Sequence, residues 1–68
     1  IKEISLHIKS EDELNEIQKF LEEKGETIVH INFLKDDEKH IFRLKTPRNI
    51  NRKSINILRS REISVNIN

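Results

Sequence analysis

The 68 residues contain no cysteine, methionine, tryptophan or tyrosine, and only one glycine, one proline and three phenylalanines. Without cysteine, no disulfide framework and no thiolate metal site can support a small core. That absence is compatible with a reducing compartment. A single glycine leaves no phosphate-cradling loop. No apolar run approaches the roughly 20 residues needed to span a bilayer, and no signal-type apolar region is present. Ser5, Ser10, Ser54, Ser60 and Ser64 lack the context of a nucleophile elbow. No catalytic residue is assigned, and the segment is not expected to catalyse a reaction by itself.

A chain of this length makes one domain and buries about 60% of the surface its unfolded form exposes. It begins at Ile1 without an initiator methionine, so a fragment of a longer chain is expected. Charge is unevenly spread. Residues 1–38 carry five basic side chains against eleven acidic ones, and residues 39–68 carry eight against one, Glu62. Such asymmetry hints at a polar partner surface, unless the halves interleave in the fold and their charges pair.

Periodicity supplies the elements. Ile4, Leu6 and Ile8 alternate with Ser5 and His7, the mark of a half-buried strand. Ser10-Glu11-Asp12-Glu13 forms a capping box, with acids at the positive end of the helix dipole. Leu14, Ile17 and Leu21, with Phe20 beside them, make a helical stripe, and Gly25 is expected to close that helix after Lys24. Thr27 to Leu34 reads as a second strand, with Val29, Ile31 and Phe33 on one flank and His30 and Asn32 on the other. Residues 35–39 form a charged connector of hairpin length. His40 to Lys45 returns as a third strand with Phe42 and Leu44 inward, which turns the apolar Ile41 to the polar side. Pro47 breaks the ladder. Ile50 and Asn51 look like a staple and an N-cap, and Ile55 with Leu58 forms the buried pair of a second helix. Arg52 and Lys53 in its first turn oppose the dipole. Ile63, Val65 and Ile67 alternate with Ser64, Asn66 and Asn68 in a last strand.

The order β-α-β-β-α-β with one apolar flank per strand predicts an α+β fold. Its single four-stranded sheet carries two helices on one face, in the split βαβ manner of ferredoxin-like folds or a close variant. The opposite face is left to water or a partner.

His7, His30 and His40 have no acidic or thiol ligand at recognisable spacing, so no metal site is assigned to them. Asp36, Asp37 and Glu38 read as a charged hairpin tip that blunts aggregation. Nucleic acid is the competing partner. Lys45, Arg48, Arg52, Lys53 and Arg59 are candidate phosphate contacts, with Arg43 and Arg61 also available. Recognition sheets for RNA stack bases on aromatic side chains, however, and Phe20, Phe33 and Phe42 all fall on the buried side of this pattern.

The assembled run resembles a known domain. Leu6 and Ile8 lead to the helix of Leu14, Ile17 and Leu21. Then come Gly25-Glu26-Thr27-Ile28-Val29-His30-Ile31, a charged hairpin, IFRLK over residues 41–45, RNINRKSINILRS over 48–60, and EISVNI over 62–67. This is similar to the C-terminal domain of the bacterial DNA polymerase III α subunit. That family has a Gly-x-x-Pro-Val-x-Leu run entering its second strand, matched here except that Ile28 stands at the proline. It also has an Arg-Val-Asn or Arg-Val-Ser entry to a short helix, matched by Ile50-Asn51. The sequence departs at Ser60-Arg61, where the family often has glycine.

The resemblance implies a C-terminal docking domain spanning residues 1–68 that binds the clamp-loader τ subunit, among other holoenzyme subunits. The parent chain would be a cytoplasmic, magnesium-dependent DNA-directed DNA polymerase, a nucleotidyltransferase whose metal-binding aspartates and DNA contacts lie elsewhere. No cofactor and no membrane contact are expected in this domain. Alternation and the free end strand make Ser64, Val65, Asn66, Ile67 and Asn68 the candidate partner-binding segment, with His7, His30, Asn32 and Arg43 beside it.

Overall fold

A computed structural model describes residues 2–68, so Ile1 lies outside the described residues. The elements are β1 (Glu3–Ile8), α1 (Glu11–Gln18), β2 (Lys24–Lys35), β3 (Glu38–Arg43), α2 (Arg52–Ser60) and β4 (Ser64–Ile67). They form one four-stranded mixed sheet in the order β3-β2-β1-β4. The α+β class and the β-α-β-β-α-β order are as the periodicity predicts.

The strand order decides between the variants. β1 lies directly beside β2 and parallel to it, with Ile4 opposite Val29 and Leu6 opposite Ile31. No strand is inserted between them, so the split arrangement of ferredoxin-like folds gives way to an unsplit βαβ unit with a hairpin on one side. β3 pairs antiparallel with β2, and β4 antiparallel with β1.

One side of this sheet holds the core. Ile4, Leu6, Ile8, Val29, Ile31, Phe33 and Val65 pack with Ile17 and Leu21 near α1 and with Ile50, Ile55, Leu58 and Ile63 around α2 in one buried cluster. Both helices therefore cover the same face. Burying each of the larger side chains contributes about 1.5–3 kcal/mol before the entropy of ordering is counted.

Both helix starts match their sequence signals. Ser10 Oγ accepts from the Glu13 amide at 3.2 Å, and Asn51 Oδ1 accepts from the Ser54 amide at 2.9 Å.

The helix ends differ from expectation. α1 stops at Gln18, well short of Lys24. The Phe20 and Leu21 amides bond back only three residues, to Ile17 and Gln18, which tightens the last turn. Glu22 and Glu23 would also oppose the negative end of a longer helix dipole. Gly25 consequently lies in the first residues of β2 and caps no helix. Its role is close approach: a Cβ there would lie 2.5 Å from Asn49 Cα and 2.8 Å from the Arg48 carbonyl carbon. The Gly25 amide donates to the Pro47 carbonyl at 3.1 Å, and the Asn49 amide to the Glu23 carbonyl at 2.8 Å.

α2 closes on a left-handed residue. Glu62 has φ 65°, its amide donates to the Arg59 carbonyl, and the Ile63 amide donates to the Leu58 carbonyl. These two bonds make a Schellman motif with glutamate where glycine is usual.

The hairpin is tighter than a five-residue connector. Lys35 and Glu38 still pair, and only Asp36 and Asp37 turn, both with positive φ, the backbone a type I′ turn requires. Phe42 lies on the helix side as expected but is 50% exposed, because the helices do not cover that edge strand. The strip between the end of α1 and β3 is an apolar groove of about 590 Å³.

Candidate docking surface

The uncovered face is built from alternate residues of all four strands. Register sets them in rows: Arg43, His30, Ser5 and Asn66 in one, and Ile41, Asn32, His7 and Ser64 in the next. Four of the expected docking residues, His7, His30, Asn32 and Arg43, thus share one surface, joined by Ser64 and Asn66. No phenylalanine lies there. Ile41, 64% exposed, sits on this face as the alternation predicts, and Leu34 is exposed with it.

Much of the face is knit together by side chains. His30 Nε2 lies 3.2 Å from Glu3 Oε2. Asn66 Nδ2 lies 3.0 Å from His7 Nε2. Asn68 Nδ2 donates to Glu3 Oε1 at 3.2 Å. The hydrogen bond from His30 holds the Glu3 carboxyl below its ordinary range, with Asn68 adding to the effect. At the far end of β2, the Lys35 Nζ bond to Glu11 at 2.8 Å lowers that carboxyl and raises the lysine. His40 is on the helix side, its ring stacked on Phe42 at 6.4 Å between centroids. The three histidines are therefore not gathered in one place. Among the described residues, no three His, Cys, Asp or Glu side chains are grouped so as to hold a metal ion.

Within the last strand, alternation divides the expected segment. Val65 is buried in the core at 5% exposure, so its side chain offers nothing to a partner. Ser64 and Asn66 face the open side. Ile67 points to the helix side but remains 41% exposed, because β4 is the outermost strand there. The Asn68 amide donates to the Glu3 carbonyl at 2.9 Å. In an antiparallel ladder this alternates, so Ser64 and Asn66 turn their backbone groups toward β1 while Val65 and Ile67 turn theirs outward.

The basic residues are partly spent on the fold. Arg59 Nη2 donates to the Val65 carbonyl at 2.9 Å. Arg48 donates to the Thr46 and Leu21 carbonyls. Arg61 pairs with Glu16 and lies over the Phe20 ring at 5.8 Å, which ties the end of α2 to α1. Of the five candidate phosphate contacts, Arg48 and Arg59 thus act as braces for backbone carbonyls, while Lys45, Arg52 and Lys53 stand exposed. Sequence reasoning found the charges but could not show which carbonyls they cap.

No family model matches this chain, and no curated protein or solved structure is found to be similar to it. No helix among the described residues is long and apolar enough to cross a membrane.

Proposed function

We propose that this chain is a non-catalytic protein-docking module of a larger assembly. The observation that carries the reading is the one-sided sheet. Its outer face is largely polar and free of phenylalanine, with Ile41 and Leu34 exposed toward the β3 side, and its last strand is an open edge. A largely polar face bordered by an open strand edge suits a protein partner held by backbone pairing at the edge and side-chain hydrogen bonds on the face. The resemblance to the C-terminal domain of the DNA polymerase III α subunit names the partner to try first, the τ subunit of the clamp loader, in a bacterial cytoplasm. On that reading the polymerising chemistry and its magnesium belong to other parts of the parent chain.

Direct nucleic-acid binding is the weaker reading. Base stacking has no phenylalanine to use on the open face, where the imidazoles of His7 and His30 are engaged with Asn66 and Glu3, and two of the five candidate basic residues already serve carbonyls. Exposed Lys45, Arg52 and Lys53 support contact with phosphate alone.

The test is retention of the parent chain by the immobilised τ subunit, with and without Asn32→Glu and Ser64→Glu on the open face, because deleting β4 would also remove the core residues Ile63 and Val65. Loss of retention by a variant that still folds is expected, and unchanged retention removes the reading. Single-stranded DNA titrated in parallel separates the alternative: measurable affinity that falls steeply with salt would favour phosphate contact over docking.

A further inference from the structure

The two edges of the sheet are guarded differently. On β3, the Leu44 amide bonds the Val29 carbonyl, so by alternation Lys39, Ile41 and Arg43 turn their backbone groups outward. Charged Glu38, Lys39 and Arg43 flank that edge, the usual protection against unwanted pairing. β4, with the sequence Ser-Val-Asn-Ile, has no charge and no proline. Its outward backbone groups belong to Val65 and Ile67, and the half-exposed Ile67 side chain stands beside them.

α2, which packs beside β4, brings arginine to this edge. Arg59 reaches the edge and holds the Val65 carbonyl. Arg52 stands seven residues earlier on α2, two turns back and on the same side of the helix. We propose that the outer edge of β4 accepts an extended acidic segment of a partner protein as a fifth strand. This rests on the docking reading above and narrows the partner to a chemical class.

In the pairing, the partner's amides and carbonyls meet those of Val65 and Ile67, and an apolar side chain covers Ile67. A carboxylate then takes Arg59. Its guanidinium gives up a neutral carbonyl for a charged acceptor, a stronger bond, and the released Val65 carbonyl becomes available to the partner's N–H. A second copy of this chain fits less well. Antiparallel β4 pairing about Asn66 would match Val65 with Ile67, but it would bring two arginine-bearing α2 helices side by side with no acid in either β4 strand. Nucleic acid fits less well again, since an edge of peptide N–H and C=O groups beside an isoleucine offers no stacking platform.

The experiment uses a short fluorescein-labelled peptide alternating valine and glutamate, followed by anisotropy, with amide shifts recorded on the labelled protein. The expected result is saturable binding, about tenfold tighter than for the same peptide with lysine in place of glutamate, with the largest shifts at Val65 and Ile67. N-methylation of the peptide backbone should abolish binding. Arg52→Glu should weaken it about tenfold. Arg59→Gln should weaken it also, with its melting temperature measured alongside because Arg59 braces the fold.

Several results would overturn the proposal: no saturable binding, equal binding of the lysine peptide, or shifts confined to the open face or to β3. So would tighter binding of an oligothymidylate, or self-association of the protein that the peptide does not reverse. If the peptide fails while the τ subunit still retains the parent chain, docking stands and the acidic-strand inference falls.

Discussion

Glu62 offers a sharp test of the backbone account. It occupies the left-handed region at φ 65°, where an L-residue with a Cβ loses roughly 1–2 kcal/mol against glycine. Glycine returns about 0.5–1 kcal/mol of that through the greater freedom of its unfolded chain. Glu62→Gly should therefore stabilise the domain by about 0.5–1 kcal/mol. The Schellman bonds, Glu62 amide to Arg59 and Ile63 amide to Leu58, are backbone bonds and persist in the variant. In a domain of this size the gain corresponds to a rise in melting temperature of roughly 2–8 °C. Urea unfolding at neutral pH would show it as a higher midpoint at unchanged slope. Glu62→Ala is the control, because it removes the same charge and keeps the Cβ. Should alanine stabilise as much as glycine, the gain would come from charge, and the backbone reasoning would be wrong.

Other outcomes follow from the same structure. Asp37→Gly, at φ 62° in the two-residue turn, should stabilise by several tenths to about 1 kcal/mol in the same urea assay, because glycine is favoured at that position. Gly25→Ala should destabilise by about 1–3 kcal/mol, since its methyl would meet the backbone of Asn49 at 2.5 Å; a neutral effect would mean that the residue 48–49 linker moves easily. The Glu3 carboxyl is held low by His30, so its contribution is present above the ordinary carboxylate range and lost as pH falls through its lowered value in the folded protein. Urea midpoints followed downward in pH should fall there, and Glu3→Gln should flatten part of that decline.

Local signals carried most of the element pattern. The alternation of Ile4, Leu6 and Ile8, the caps at Ser10 and Asn51, and the stripe of Ile55 and Leu58 each depend on neighbours within a few residues, so they can be read along the chain. Strand order cannot, because β1 meets β2 or β3 according to how the whole core closes. Gly25 misleads for the same reason. A glycine following a lysine resembles a helix stop, whereas its real constraint is Asn49, far along the chain. Alternation assigns Phe42 to the inner flank, and a flank says nothing of whether a helix lies over it. On the candidate surface, the open-face rows were legible from period two. The partition of Val65 from its neighbours was implicit in the same period. The Arg59 bond to Val65 was not legible, since charge gives no address.

The decisive measurement for the one-sided sheet uses the absence of native cysteine, which makes any introduced thiol the sole reactive one. Asn32→Cys on the open face and Val29→Cys on the covered face would be labelled under native conditions, and each rate compared with that of its own unfolded chain. The account expects Asn32→Cys, half-buried on the open face, to react directly from the folded state, and Val29→Cys to react only through global unfolding. Comparable protection at both positions would mean that both faces are interior, and the docking surface would be lost with it.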